Sequence, residues 1–219
     1  MRITGGLRRV WRYVRSAPGT YVWLAVLFVT TVALHHMSPV AEERFLRARS
    51  TNLRELSSHP VRVLIASAMW IEGGHWVPYA VLYSVFHARV ERWLGTVRWL
   101  AVCVLAHVVA TLVSEGVLLW AIRAGVAPVS SVDAVDVGVS YALAGVMGVL
   151  VFRIRGAVWR YGYLGAVLVV YGAPLVVGRT FTDVGHAVGL LTGLVCGPVA
   201  AGRVRRTRNP KETAAVGSD

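Results

Sequence analysis

The chain has 219 residues, of which 56% are apolar and only 16% are charged, and 23 Lys and Arg against 11 Asp and Glu give a formal charge of +12. Soluble domains carry about 25% charged residues. The low charge content and the mean hydropathy of +0.58 therefore exclude a soluble globular enzyme and a disordered chain. At about 20 apolar residues per membrane-spanning helix, the chain has room for six spans, short loops and two tails.

The elements predicted first are a basic N-terminal tail, residues 1–18, and an apolar helix over 19–37. An uncleaved span is favoured over a signal peptide, because Leu34-His35-His36 is a poor cleavage site. A long polar segment follows at 38–60, and a short apolar, half-inserted element at 62–71. The remaining predicted segments are spans at 75–90, 99–122, 138–152, 157–177 and 184–201, a Ser/Asp/Pro-rich loop at 124–137 and a disordered tail at 204–219.

The distribution of basic residues predicts the topology of this all-α integral membrane protein. Sixteen of the 23 Lys and Arg lie in the two tails and in the loops after the second and fourth spans. The positive-inside rule then places both termini in the cytoplasm, which requires an even number of spans. The dominance of Arg over Lys favours a bacterial origin, and hence the bacterial plasma membrane.

The sequence favours no soluble ligand or metal. It has no P-loop, no Rossmann glycine pattern, no nucleic-acid module and no H-E-x-x-H, so we expect no cofactor and no nucleic-acid partner. Histidines lie at different predicted depths, which disfavours a zinc site. Cys103 and Cys196 lie in apolar runs and are expected to be free thiols. The oligomeric state is left open.

Three polar side chains are predicted at one depth of the membrane, where such residues are functional candidates. Counted from the arginines of the inner face at 1.5 Å per residue, Ser140 lies about 20 Å, His75 about 21 Å and His186 about 25 Å from that face. A serine and a histidine at the same depth are the residue types that a Ser-His catalytic centre requires.

The neighbouring residues strengthen this interpretation. Gly138-Val139-Ser140 begins a span, so the serine lies beside unsatisfied backbone N–H groups that could hold an oxyanion. The last span carries a glycine face that allows close helix packing beside His186, formed by Gly185, Gly189, Gly193 and Gly197. Taken singly, a membrane serine more often bonds its own backbone carbonyl, and a glycine face more often serves packing.

The motifs together resemble the rhomboid family of intramembrane serine proteases. Gly185-His186-Ala187-Val188-Gly189, followed by Gly193, is similar to the family's histidine motif in the sixth span. The run from Gly138 to Gly148 resembles the Gly-x-Ser-Gly segment of the fourth span. His75 ahead of Glu91-Arg92 resembles the second-span histidine, and Arg62 resembles the first-loop arginine.

The resemblance implies a six-helix bundle over 19–203 with a membrane-embedded first loop. It implies Ser140 as nucleophile and His186 as general base, with Gly138, the Ser140 backbone and the His75 side chain stabilising the oxyanion. The substrate would be a transmembrane helix cut near its outer end and admitted past the fifth span.

Four positions depart from the family pattern. Tyr141 replaces the glycine after the serine, Tyr79 an asparagine of the second span, Ala144 the tyrosine that stacks on the histidine, and Val61 the first-loop tryptophan. Tyr79 or Tyr141 could supply a substitute hydroxyl, or Tyr141 could fill the cleft. The alternative function is therefore a catalytically impaired rhomboid-like protein that binds transmembrane clients, and a small transporter is a distant third.

One acidic residue lies within a predicted span. Glu115, about 25 Å from the inner face, is interpreted as an interfacial acid in preference to an interior polar partner.

Overall fold

The computed structural model describes residues 3–208, and every regular element within them is helical. Four helices are long and apolar enough to cross a membrane. The helices are α1 (Ile3–Arg15), α2 (Pro18–His35), α3 (Pro39–Arg47), α4 (Leu53–Ser58), α5 (Pro60–Ser67), α6 (Trp76–Leu82), α7 (Ala88–Leu94), α8 (Thr96–Arg123), α9 (Val139–Leu150), α10 (Ala157–Val177) and α11 (Phe181–Arg208).

The predicted first, third, fifth and sixth spans correspond to α2, α8, α10 and the Phe181–Gly202 part of α11. The predicted second span is α6 and α7 joined by a π-helical turn at Tyr83–His87. The predicted fourth span is α9, whose 12 residues extend about 18 Å. The count of six full spans therefore stays a prediction. Beyond the spans, α11 continues to Arg208, into the tail predicted as disordered, and 209–219 lie outside the described residues.

The segment after α2, predicted as a polar linker, contains short helices. Ser38 accepts a hydrogen bond from the Ala41 N–H and Asn52 accepts one from the Glu55 N–H, so side chains cap α3 and α4. The Thr51 N–H donates to the Asp136 carbonyl at 2.9 Å. This bond ties the first loop to the segment that precedes α9.

Helix α9 lies at the centre of the fold, packed against α8 and α11. Ten of its 12 residues are buried, as expected for a helix that is apolar on all sides. A methyl group at Gly193 would collide with the Gly145 carbonyl, and one at Gly148 would lie 2.5 Å from the Leu190 carbonyl oxygen. Glycines therefore let the backbones of α9 and α11 approach closely, as the sequence pattern predicted.

A buried carboxylate joins the ends of α2, α7 and α8. Glu91 of α7 is 1% exposed and accepts hydrogen bonds from the N–H groups of Gly19 and Thr20 and from the hydroxyls of Thr20 and Thr96, all at 2.7–2.8 Å. An anionic acceptor at the N-termini of α2 and α8 satisfies orphan donors and interacts favourably with both helix dipoles.

Candidate functional site

Ser140 is the second residue of α9, at the end that faces the first loop. The helical hydrogen bonds of α9 begin with the N–H groups of Tyr141 and Ala142, which both donate to the Gly138 carbonyl. The N–H groups of Val139 and Ser140 precede these bonds, so they belong to the unsatisfied donors of a helix N-terminus. Gly138 is buried against the imidazole of His107, where a methyl group would have no room.

His186 reaches Ser140 from α11. Its Nε2 lies 2.9 Å from the serine Oγ. This approach depends on the glycine face, since a methyl group at Gly185 would lie 2.5 Å from the ring of Tyr141 and one at Gly189 would lie 2.8 Å from the Tyr141 carbonyl oxygen. The predicted proximity of the serine and the histidine is therefore present in the structure.

Thr182, one turn before His186 on α11, lines the same cavity. A neutral imidazole has one nitrogen that donates and one that accepts. In the tautomer that carries its proton on Nδ1, Nε2 is free to accept the Ser140 hydroxyl proton.

Two tyrosines flank the histidine. The Tyr141 ring meets His186 edge to face, with centroids 5.1 Å apart, and the Tyr171 ring of α10 lies 6.0 Å away at an interplanar angle of 33°. Tyr171 thus lies near the histidine. Ala144 of α9, which is buried against Val167 and Leu190, offers no ring. The sequence analysis missed Tyr171, because it is distant in the chain and belongs to no motif.

Tyr141 does not fill the cleft beside the serine. Its side chain is completely buried, and its hydroxyl donates to Asp136 Oδ2 at 3.0 Å. The Thr51 hydroxyl lies 3.3 Å from the same oxygen. The replacement of the family glycine by Tyr141 therefore creates a buried link between α9 and the loop before it.

Ser140 and His186 share a cavity of about 340 Å³. Tyr79 lines this cavity too, whereas His75 is exposed at the start of α6 and does not. The other lining residues are Glu72, Gly73, Val135, Asp136, Val137 and Thr182. The structure thus brings Ser140, His186 and Tyr79 together in one cavity. Gly138 lies two residues before the serine but does not line this cavity, and neither does His75.

The charges of the cavity come from two acids that the sequence analysis did not single out. Asp136 is 4% exposed and lies outside the membrane-spanning helices. Burial raises the pKa of Asp136 to about 6, the hydrogen bonds from Tyr141 and Thr51 oppose this rise, and the negative charge of Glu72 adds to it. Asp136 is only four positions before Ser140, but an isolated acid in a loop gives no signal of burial.

Glu115 corrects one interpretation of the sequence. It is 1% exposed, and neither of its carboxylate oxygens has a hydrogen-bond partner among the described residues. The interfacial position that the sequence favoured is therefore wrong, because the protein itself encloses this side chain. Among residues 3–208, no cluster of three or more His, Cys, Asp and Glu is arranged to hold a metal ion.

A comparison with protein families matches a rhomboid-like protein model to residues 12–206. The chain belongs to the rhomboid-like family. The match covers all four helices that could span a membrane as well as the Ser140–His186 pair, and it supports an integral membrane protein. No curated protein and no solved structure matches this rhomboid-like chain.

Proposed function

We propose that this rhomboid-like protein is an intramembrane serine protease that cuts transmembrane helices near their outer end. The observation that carries the proposal is the 2.9 Å contact between Ser140 Oγ and His186 Nε2 inside a shared cavity. A nucleophile and a base within about 2.6–3.2 Å of each other are the arrangement that nucleophilic catalysis requires. We further propose a bacterial plasma membrane location with both termini in the cytoplasm.

The proposed reaction proceeds through an acyl-enzyme. Ser140 Oγ attacks the carbonyl carbon of the scissile peptide bond while its proton moves to His186 Nε2. The C–N bond then breaks, and the imidazolium returns the proton to the leaving amine. A water molecule attacks the acyl carbon in the second half, with His186 again accepting and returning the proton.

Stabilisation of the oxyanion would rest on the start of α9. The N–H groups of Val139 and Ser140 precede the first helical hydrogen bonds, and the N-terminal end of the helix dipole favours negative charge there. Tyr79 lines the cavity and is the candidate for a side-chain donor, since the Tyr141 hydroxyl is bound to Asp136. Loss of one such donor typically lowers the rate by about 10²–10³-fold.

The packing of α10 supports substrate entry past this helix. Only Val167 of its 21 residues is buried. By contrast, α9 and α11 are held together through glycine contacts. A helix with so few buried contacts separates from its neighbours at low cost in free energy.

A catalytically impaired binder of transmembrane clients is the alternative. It is favoured by the position of His75 outside the cavity and by Ala144, which cannot stack on the histidine. In this alternative, the cavity and the loosely packed α10 would hold a client helix without cutting it.

Labelling with a fluorophosphonate tests the proposal directly. Ser140 Oγ would attack the phosphorus, the P–F bond would break, and the serine proton would pass to His186 as fluoride leaves. We expect labelling of the purified protein in detergent, and its loss in Ser140→Ala and in His186→Ala. Matched controls are Ser57→Ala and His36→Ala, which make the same changes at exposed positions outside the cavity.

The outcomes separate the two functions. Labelling that needs both residues supports the protease and justifies a search for the substrate. Absence of labelling in wild-type protein that elutes as a single species and melts cooperatively would reject the protease in favour of the binder.

A further inference from the structure

The cavity that holds Ser140 and His186 is acidic although the chain is strongly basic. Glu72 and Asp136 line it, and no lysine or arginine of residues 3–208 does. The chain has 23 Lys and Arg against 11 Asp and Glu. The two carboxylates of the lining therefore have the sign of charge that is opposite to the net charge of the chain.

The two acids lie at different depths of this cavity. Asp136 is 4% exposed, whereas Glu72 is exposed in the turn between α5 and α6. A long side chain entering the cavity would pass a carboxylate near its mouth and meet a second one further in. This spacing suits a flexible stem that ends in a charged head.

Neither acid is neutralised by a described residue. A second pocket next to the cavity is also lined by Glu72. The other acids of this second pocket form ion pairs, Glu43 with Arg47 at 2.6 Å and Asp133 with Arg54 at 2.6 Å. Glu72 and Asp136 form no such ion pair within residues 3–208. Arg47 and Arg54 are therefore already engaged, and the negative charge of the cavity is left for a ligand.

The groups that face Asp136 leave it anionic above pH 6. They are the Tyr141 hydroxyl from α9, the Thr51 hydroxyl from the first loop, Glu72 beside the cavity and Glu115 from α8. Two are neutral donors and two are acids, and none is a cation. Because the pKa of Asp136 is about 6, its carboxylate carries its charge at neutral pH.

We propose that this cavity selects transmembrane substrates that carry an arginine or lysine beside the bond to be cut. The inference rests on the proposed protease function and names the substrate class. A cationic head would form charge-assisted hydrogen bonds with Asp136 and Glu72. A neutral side chain would leave the negative charges of Asp136 and Glu72 without a cationic partner, so the cavity would favour the charged side chain over a neutral one of the same shape. The cavity volume of about 340 Å³ falls within the range of ligand sites, about 300–1,000 Å³.

A pair of aryl diphenyl phosphonates tests the preference, one bearing an amidine on the ring and one uncharged and of the same shape. With either probe, Ser140 Oγ would bond to phosphorus, a P–O bond would break, and the leaving phenoxide would take the proton passed through His186. We expect the amidine probe to label wild type at least about tenfold faster, and this ratio to fall toward one in Glu72→Gln and Asp136→Asn. Glu42→Gln, which makes the same change outside the cavity, should keep the wild-type ratio.

Binding without reaction separates this inference from the protease proposal. Benzamidine should raise the Tm of Ser140→Ala more than benzyl alcohol does, because a ligand that binds only the folded state stabilises it. The difference should shrink when Glu72→Gln is added, because only Asp136 then remains to attract the cation, and this exposed position avoids the folding risk of Asp136→Asn. Benzamidine binding without any phosphonate labelling would retain the cation site and reject the protease. A labelling ratio near one, or no benzamidine effect in the folded variant, would overturn the cation preference.

Discussion

Replacement of Gly189 by alanine should separate Ser140 from His186. The added methyl group would lie 2.8 Å from the Tyr141 carbonyl oxygen, whereas ordinary van der Waals contact begins near 3.4 Å. Since neither backbone can flex away in a close-packed interior, α9 and α11 must move apart by about 0.6 Å at this level. Gly189 lies one turn from His186 and faces the residue next to Ser140, so the shift falls on the contact between Ser140 and His186.

The magnitude follows from the geometry of the dyad. A contact of 2.9 Å lengthened by about 0.6 Å leaves the range of about 2.6–3.2 Å in which a general base works. A misplacement of 1 Å can cost about 10²-fold in rate, so we expect Gly189→Ala to slow fluorophosphonate labelling by about tenfold or more. Overpacking of this kind should also lower the free energy of unfolding by about 1–3 kcal/mol.

The assay compares labelling rates and melting of Gly189→Ala with those of Gly116→Ala. Gly116 is an exposed position of α8 where an added methyl group meets nothing within 4 Å, and alanine there should favour the helix slightly. We expect wild-type labelling in this control. A folded Gly189→Ala protein that labels at the wild-type rate would refute the argument that the glycine contact sets the distance between the dyad residues.

Three further predictions concern charge, ring support and helix capping. The labelling ratio of the amidine probe to the uncharged probe should decline as the pH falls through about 6. Burial raises the pKa of Asp136 to about 6, so protonation in this range removes the negative charge that attracts the amidine. A ratio that does not change with pH would contradict this. Tyr171→Ala should slow labelling several-fold more than Tyr171→Phe, because only phenylalanine keeps the ring beside His186. Equal labelling rates of the two variants would show that the ring does not support the histidine. Glu91→Gln should lower the Tm by about 5 °C. An amide cannot accept all four hydrogen bonds at this buried position, and an unmatched donor costs about 1–3 kcal/mol. An unchanged Tm in a thermal melt would contradict this prediction.

Much of the fold follows from the sequence because membrane helices are specified locally. A long apolar run must satisfy its backbone hydrogen bonds internally, so α2, α8, α10 and α11 could be predicted from hydropathy alone. The glycine face of α11 likewise has one physical use, close backbone approach, and the structure places Gly193 against Gly145. The predicted fourth span, 138–152, matches α9 and the 3-10 turn that follows it. The π-helical turn within the second predicted span leaves no mark in hydropathy.

The approximate depths of Ser140 and His186 were also accessible from the sequence, because helical rise converts residue number into distance. Which side chains point at one another was not. The orientation of Tyr141 toward Asp136, the burial of Glu115 and the position of Tyr171 beside His186 depend on how helices rotate about their axes and pack. Those rotations are set by contacts between residues far apart in the chain. The sequence therefore determined the helices and the candidate residues Ser140 and His186. The tertiary structure alone decided that these two side chains meet, and what charge and shape the cavity around them has.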